Sequence, residues 1–421
     1  MTSRERVRRV VNRQSADRIP LDLGATSVTG ISASVLYGLR RALGLEEKPV
    51  RVIESFQMLG YVDEDLRKAL GVDTIGLWRR MNNMGLPNTD WKPWALMDGT
   101  PVHMCGGFAF DCLPNGNVVA YPQGDKSVPP SFMMPKDGYF FDAIPRADPF
   151  DEDDLDAVRD YKDQFRVYSD EDARWIENEA RRLHEETDYA IVGHMANGSF
   201  GDAAAVYGAS LKKVQGIRAL DDWLAAHILY PDYIHELFDY QLGIYMKNLE
   251  IYHQAVGDRI DVIFTQGTDF GMQTGELISP ENYRTFYHKP MKTYTDWIHN
   301  NTKWKVMLHS CGSIVNLLDL LSESGVDILN PLQCSAKGMD PLTLKEKYGD
   351  KFIFWGGGID TQKTLPFGTE EEVKQEAIQR VNVLGKNGGF VFNTNHNIVG
   401  GTPISNVLAM YDTFTRHRNH D

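Results

Sequence analysis

The sequence predicts an α/β protein of the (β/α)8 class, a TIM barrel with a long insertion after the second strand, in which residues 1–421 form a single domain. Three observations carry this expectation. A unit recurs along the chain: a short β-branched run, a corner rich in Gly, Asn and Ser, then an amphipathic helix. Alternation of strands with helices implies a parallel sheet, and the runs number eight, which fits closure of that sheet on itself. A chain of 421 residues is long for an ordinary domain but within the range of such barrels once insertions are counted. A doubly wound open sheet is the structural alternative.

The elements follow in order. An opening helix over residues 3–14 leads to a first strand at 18–23, and a second is expected at 72–78. The third and fourth fall at 189–194 and 260–265, the fifth at 304–309. After the fifth, Ser313 is expected to cap a helix that places Ile314, Leu317, Leu318 and Leu321 on one face. The sixth strand, 326–330, precedes Asp340 and Pro341, a cap followed by a first-position proline. The seventh, 351–355, runs into three glycines, Gly356 to Gly358, which permit close backbone approach to a ligand. Thr369 and Glu372 form a capping box on the next helix, which ends at Gly385. The eighth strand, 389–393, and a helix opened by Thr402 and Pro403 complete the chain.

Residues 79–150 break the rhythm. They are rich in Pro and Gly and carry Trp91, Trp94, Phe108, Phe110, Tyr121, Phe132, Tyr139, Phe140 and Phe141. A stretch of this length without barrel elements is usually functional, and a lid or subdomain over the barrel mouth is expected. The plainer reading is that most of these aromatics pack the insertion's own small core.

A net charge of −14 argues against nucleic acid, whose phosphates require a basic face. The basic start, residues 1–14, is followed by no apolar segment of the secretory kind, and no run approaches the roughly 18 apolar residues that span a bilayer. A soluble cytoplasmic protein that binds no membrane is expected. Four cysteines, Cys105, Cys112, Cys311 and Cys334, are too few for a disulfide scaffold of this size. A well-placed cysteine is then a candidate ligand or nucleophile.

In a barrel the chemistry gathers at the C-terminal ends of the strands. His309 and Cys311 end the fifth strand and His396 follows the eighth. Imidazole and thiolate are natural zinc ligands, and residues i and i+2 of a strand share a face, so a His-x-Cys pair can aim at one pocket. A core histidine satisfied by a carbonyl and a small buried thiol are the bland alternatives. Asp269, past the fourth strand, and His194, ending the third, are candidate catalytic groups, although Asp269 equally suits a turn. Gln333 and Cys334 lie just beyond the sixth strand. No dinucleotide fingerprint, nucleophile elbow or P-loop is present.

Several stretches resemble the uroporphyrinogen decarboxylase superfamily: residues 271–286 (GMQTGELISPENYRTF), 16–20 (ADRIP), 358–360 (GID), and 395–398 (NHNI) before Thr402 and Pro403. The resemblance covers most of the chain outside the insertion and implies the same barrel. Decarboxylases of that superfamily work without metal and carry an arginine-rich R-Q-A-G-R motif. Here residues 24–30 read GATSVTG instead, which argues against porphyrinogen decarboxylation. The other branch, the corrinoid-dependent methyltransferases, binds zinc through a His-x-Cys pair and a later cysteine at the eighth strand. His309 and Cys311 match the pair, and His396 stands where that cysteine would fall.

The resemblance therefore implies a zinc-dependent methyltransferase that moves a methyl group between a small organic substrate and a corrinoid. Because no D-x-H-x-x-G motif occurs, the corrinoid would arrive on a separate corrinoid protein. Zinc could activate an acceptor thiol or, as a Lewis acid, bind the heteroatom of a methyl donor; a His-Cys-His set favours the second. The aromatic insertion would suit an organic donor such as a methoxylated aromatic. A metal-independent decarboxylase or other lyase is the alternative, and a binding barrel without turnover a third. His396 is the expected third ligand, with Cys334 as its competitor.

Overall fold

In the computed structural model, which describes residues 1–195 and 198–419, seven short strands lie side by side in one parallel sheet. They are β1 (Thr74–Leu77), β2 (Ala190–His194), β3 (Val262–Gly267), β4 (Lys305–His309), β5 (Ile328–Asn330), β6 (Ile353–Trp355) and β7 (Phe390–Val391). Their order in the sheet is their order in the chain, β1 at one edge and β7 at the other. Each from β2 onward is followed by helix, whereas β1 runs into the small sheets of residues 92–143; the strand positions at 72–78 and from 189 to 393 hold.

Alternation of side chains along these strands divides the apolar residues into two cores. Ala190, Val192, Val262, Phe264, Met307, Ile328, Ile353, Trp355 and Val391 pack with one another on one face. Val7, Val10 and Val11 join them from the helix Ser3–Val11, which is closed by a reciprocal Thr2–Glu5 capping box. The intervening residues Ile191, Ile263, Val306, Leu308, Leu329, Phe354 and Phe390 belong to a second, larger core shared with the surrounding helices. Strands buried on both faces read as near-continuous apolar runs, and that is how these read.

The expected first strand is not a regular one. Residues 18–23 form single bridges only, yet the segment hydrogen-bonds to both outer strands' surroundings. Phe392 N donates to Pro20 O and Asp22 N to Phe392 O, each at 2.9 Å, while Asp73 N donates to Leu21 O at 2.8 Å. Proline at 20 removes a ladder donor, which shortens the pairing. The fully buried Asp22 is held by Thr74 Oγ1 at 2.5 Å and Trp355 Nε1 at 2.7 Å.

Asp73 ties this corner together. Buried to 0% exposure, it accepts from Arg6 Nη1 and Arg18 Nη1 at 2.7 Å each, from Ser3 Oγ at 2.7 Å and from Leu21 N at 2.9 Å. Removing one partner of a buried, hydrogen-bonded ion pair typically costs about 3–5 kcal/mol. Asp73→Ala should accordingly lower stability by about 3 kcal/mol in urea unfolding, the low end because Arg6 keeps Asp17. A loss below about 1 kcal/mol would show that the corner is held by packing alone.

The insertion differs from expectation in its boundaries. Its first sheet has the order Leu59–Gly60, Val50–Glu54, Pro101–Met104, Lys92–Ala95, so residues 50–60, ahead of β1, pair with residues past 79. Val50 and Arg51 lie parallel to Val102 and His103. Cross-chain pairing of this kind leaves no local signal in sequence. A second, antiparallel sheet runs Phe110–Cys112, Val118–Ala120, Phe132–Met134, Asp142–Ala143.

Ser313 does not cap a helix. A 3-10 turn, Val315–Leu317, precedes the helix Leu318–Glu323, and the residues at the cap positions are Ile314 and Leu317, while Ser313 N donates to Met272 O at 2.7 Å. The Gly356–Gly358 run approaches protein rather than ligand: a Cβ on Gly356 would sit 2.8 Å from Thr394 O, and one on Gly357 2.9 Å from Leu332 O. Among the described residues no helix is long and apolar enough to cross a membrane.

Candidate metal centre and cavity

The inward face of the sheet carries its period past the last strand residues. Met307 faces the inner core, so His309, two residues on, points the same way, and so does Asn330 after Ile328. Cys311 continues the period beyond β4. Its turn is possible only because two glycines cross there. A Cβ on Gly312, at φ 84°, would meet Gly271 C at 2.3 Å, and one on Gly271 would meet Ser313 O at 2.6 Å. His396 enters from the segment after β7, which Gly30 and Asn397 anchor through a 2.6 Å bond.

These placements bring His309, Cys311 and His396 together, with one donor atom of each lying within 4.8 Å of the others. His309 Nε2 and Cys311 Sγ are 3.4 Å apart. Two ligands of one tetrahedral zinc, at ordinary bond lengths, stand roughly 3.3–3.8 Å apart, so this pair fits the ion. The rings of His309 and His396 lie 5.2 Å apart, centroid to centroid. Asn330 Oδ1 accepts from His309 Nδ1 at 2.6 Å, and its amide nitrogen is committed to Trp355 O at 2.8 Å. That bond assigns the proton to Nδ1 and turns the Nε2 lone pair toward Cys311, an outer-shell arrangement that metal-binding histidines commonly have.

Burial lowers the His309 and His396 imidazoles to about 4, and His396 feels His309 besides. Both are therefore neutral and able to ligate at pH 7. The Cys311 thiol is pushed well up, by burial first and then by the charge of Asp269. A coordinated cation inverts that, since it holds a thiol as thiolate.

Asp269 stands beside this group. Its Oδ1 accepts from Cys311 N at 2.8 Å and is 3.9 Å from His309 Nε2. Burial raises its carboxyl, and Asp202, raised to about 7 by burial and by the charge of Asp269, faces it. His194 is placed apart from the three: it ends β2 against Trp78 and Phe264, with ring centroids at 5.8 and 4.9 Å. Cys334 is outside the group as well; its thiol donates to Leu332 O at 3.4 Å, and burial raises it to about 11. Gln333 is structural, its Oε1 accepting from Gly312 N at 2.6 Å.

A cavity of about 620 Å³ opens over His309, His396, Asp269 and Asp202, and His194 lines its wall. Phe56, Phe132, Phe140 and Phe141 from the inserted sheets line it too. Trp94, Phe108 and Phe110 instead pack on one another at 5.4–5.5 Å, so the insertion's aromatics divide between its own core and the cavity. A second cavity of about 370 Å³, with Met272, Gln273 and Gln362 on its walls, reaches Cys311 and His396. Sequence reasoning passed over Asn330, Asp202 and Arg79. Asn330 offered a signal, a polar residue ending an apolar strand; Asp202 sits in an irregular segment without one.

The family model described as Uroporphyrinogen decarboxylase (URO-D) matches residues 148–417. Uroporphyrinogen decarboxylase from Synechocystis sp. is 25% identical over 175 residues, 39% of this chain and 47% of that protein. The enzyme of that name from Crocosphaera subtropica is 26% identical over 177 residues, with the same shares. The chain thus spans about half the length of the curated relatives it matches. A methyltransferase from Methanosarcina mazei superposes with a TM-score of 0.55 at 14% identity, over 99% of each chain, a likeness of fold.

Proposed function

The chain belongs to the uroporphyrinogen decarboxylase family, and on that premise we propose that it is a zinc-dependent methyltransferase moving a methyl group from a small organic donor to a corrinoid carried on a separate protein. The observation that carries the reading is the convergence of His309, Cys311 and His396 at a cavity of drug-like size. Bound there, zinc would supply a Lewis acid for the heteroatom that bears the methyl group.

The chain's own residues do the rest. Asn330 fixes the His309 tautomer, and Asp269 fixes the backbone at Cys311. Two imidazoles and one thiolate leave more positive charge on a metal than a thiolate-rich set, which favours donor activation over thiol activation. The phenylalanines of the cavity wall receive the arene of the donor. The reduced corrinoid would supply the electron pair that takes the methyl carbon, and zinc held by His309, Cys311 and His396 would stabilise the pair left on the heteroatom. Two cavities meeting at one cluster suit a reaction between two partners, the donor in the larger and the corrinoid approaching by the smaller. We read the contacts of residues 20–22 with both sheet edges as closure of a (β/α)8 barrel, and residues 79–150 as the greater part of its lid.

The test mixes zinc-loaded protein with cob(I)alamin and a panel of aromatic methyl ethers. The expected result is the absorbance change of methylcobalamin for at least one donor. A panel silent in both directions, together with carbon dioxide release by chelator-treated protein, would replace this reading with the metal-independent lyase.

A further inference from the structure

We propose that the small-molecule substrate is an aromatic anion whose carboxylate is held by Arg79. The words "methyl donor" for that molecule rest on the function proposed above; the anion site does not. Arg79 follows β1 by two residues and, among the described residues, is the one Arg or Lys side chain lining the 620 Å³ cavity. It makes no ion pair there. Its guanidinium donates to Asn83 Oδ1, a neutral amide. The buried Glu54 carboxyl lies within electrostatic reach of Arg79 but accepts its hydrogen bonds from backbone, from Gln57 N at 2.6 Å and Phe56 N at 3.2 Å. Arg79 is thus held in position with its guanidinium free of a direct carboxylate contact among the described residues.

The His194 ring lines the same cavity, 6% exposed, with its Nδ1 turned into the protein away from the opening. Arg79 is near enough that its charge acts on the His194 ring. A planar guanidinium presents a fork suited to a carboxylate, and the phenylalanines around it suit an arene. The carboxyls of Asp202 and Asp269 lie on the cavity wall with the metal cluster, whereas Arg79 is the cavity's cation, so the substrate carboxylate is directed to Arg79 and the substituted end of the ring to the cluster.

The experiment is calorimetric titration of the full chain with 3,4-dimethoxybenzoate and, separately, with the neutral 3,4-dimethoxybenzamide. A charge-assisted, bidentate contact should make the carboxylate bind roughly ten- to hundredfold tighter than the amide. Arg79→Gln should erase that preference and change amide affinity by less than about threefold, while Arg79→Lys, which keeps the charge but not the fork, should retain part of it. Equal binding of the two probes, a preference that survives Arg79→Gln, or no binding of either up to about 10 mM would each overturn the proposal. Discrimination in a protein that takes no zinc and methylates no corrinoid would sink the methyltransferase reading and leave the anion site standing. The converse result would do the opposite.

Discussion

Wild-type protein purified without chelator should carry about one zinc per chain by elemental analysis, and His309→Ala or Cys311→Ser should each abolish it. Loss of an outer-shell partner alone costs roughly 10–100-fold in metal affinity, and removal of a ligand from a three-residue set costs more. His309 is the less replaceable of the two. It is 3% exposed, and its ring is aimed by a 2.6 Å bond to Asn330 whose other end is already taken by Trp355 O. Its loss leaves Asn330 Oδ1 unpaired, a penalty of about 1–3 kcal/mol that unfolding measurements can separate from metal loss.

Cys311→Ser keeps the backbone bond to Asp269, so the loop should survive and only the soft ligand disappear. Methyl transfer should fall with zinc occupancy in both variants. Metal-free wild type with undiminished turnover would defeat the zinc reading outright, because no Lewis acid would then be needed.

The parts of the fold that read clearly from sequence are those whose cause is local. Seven parallel strands are apolar runs between turn residues, and the caps at Asp340 and Thr369 are side-chain bonds to amides three residues away. The His309–Cys311 spacing is local too, since strand period alone turns both side chains to one face. What did not read is what depends on distant chain. Val50–Glu54 becomes a strand by lying against Pro101–Met104, and nothing within either segment announces the other. Ser313 has the residue type of a helix cap, but the chain turns against the Gly271 loop there and the first helical turn begins only at Val315. Arg79 and Asp202 gain their meaning from the cavity they face, and that cavity is assembled from segments spread from residue 27 to residue 400. Asn330 was legible in principle: a polar residue ending the buried run 326–329 has to find a partner, and its partner is His309.

The choice between His396 and Cys334 as third ligand gives the last expected result: Cys334→Ser should keep its zinc, and His396→Ala should lose most of it. Thiolate chemistry alone would favour Cys334, a soft donor close in sequence to the strand that carries Asn330. Geometry opposes it. Among the described residues the donor atoms within 4.8 Å of one another belong to His309, Cys311 and His396. The Cys334 thiol is turned onto Leu332 O, and the charges acting on it come from Arg380, Glu376, Asp340 and Asp360, none of which lines either cavity. To reach the cluster it would have to leave a buried site and carry the loop with it. His396 already lines both cavities and lies 5.2 Å from His309, ring to ring.

A third variant separates ligation from a general need for bulk at that position. His396→Cys puts a thiolate in place of imidazole, so zinc should be retained, but a second thiolate donates more charge and should weaken activation of the donor's ether oxygen. Zinc lost in Cys334→Ser and kept in His396→Ala would make the ligand set His309, Cys311 and Cys334, with His396 left to contact substrate.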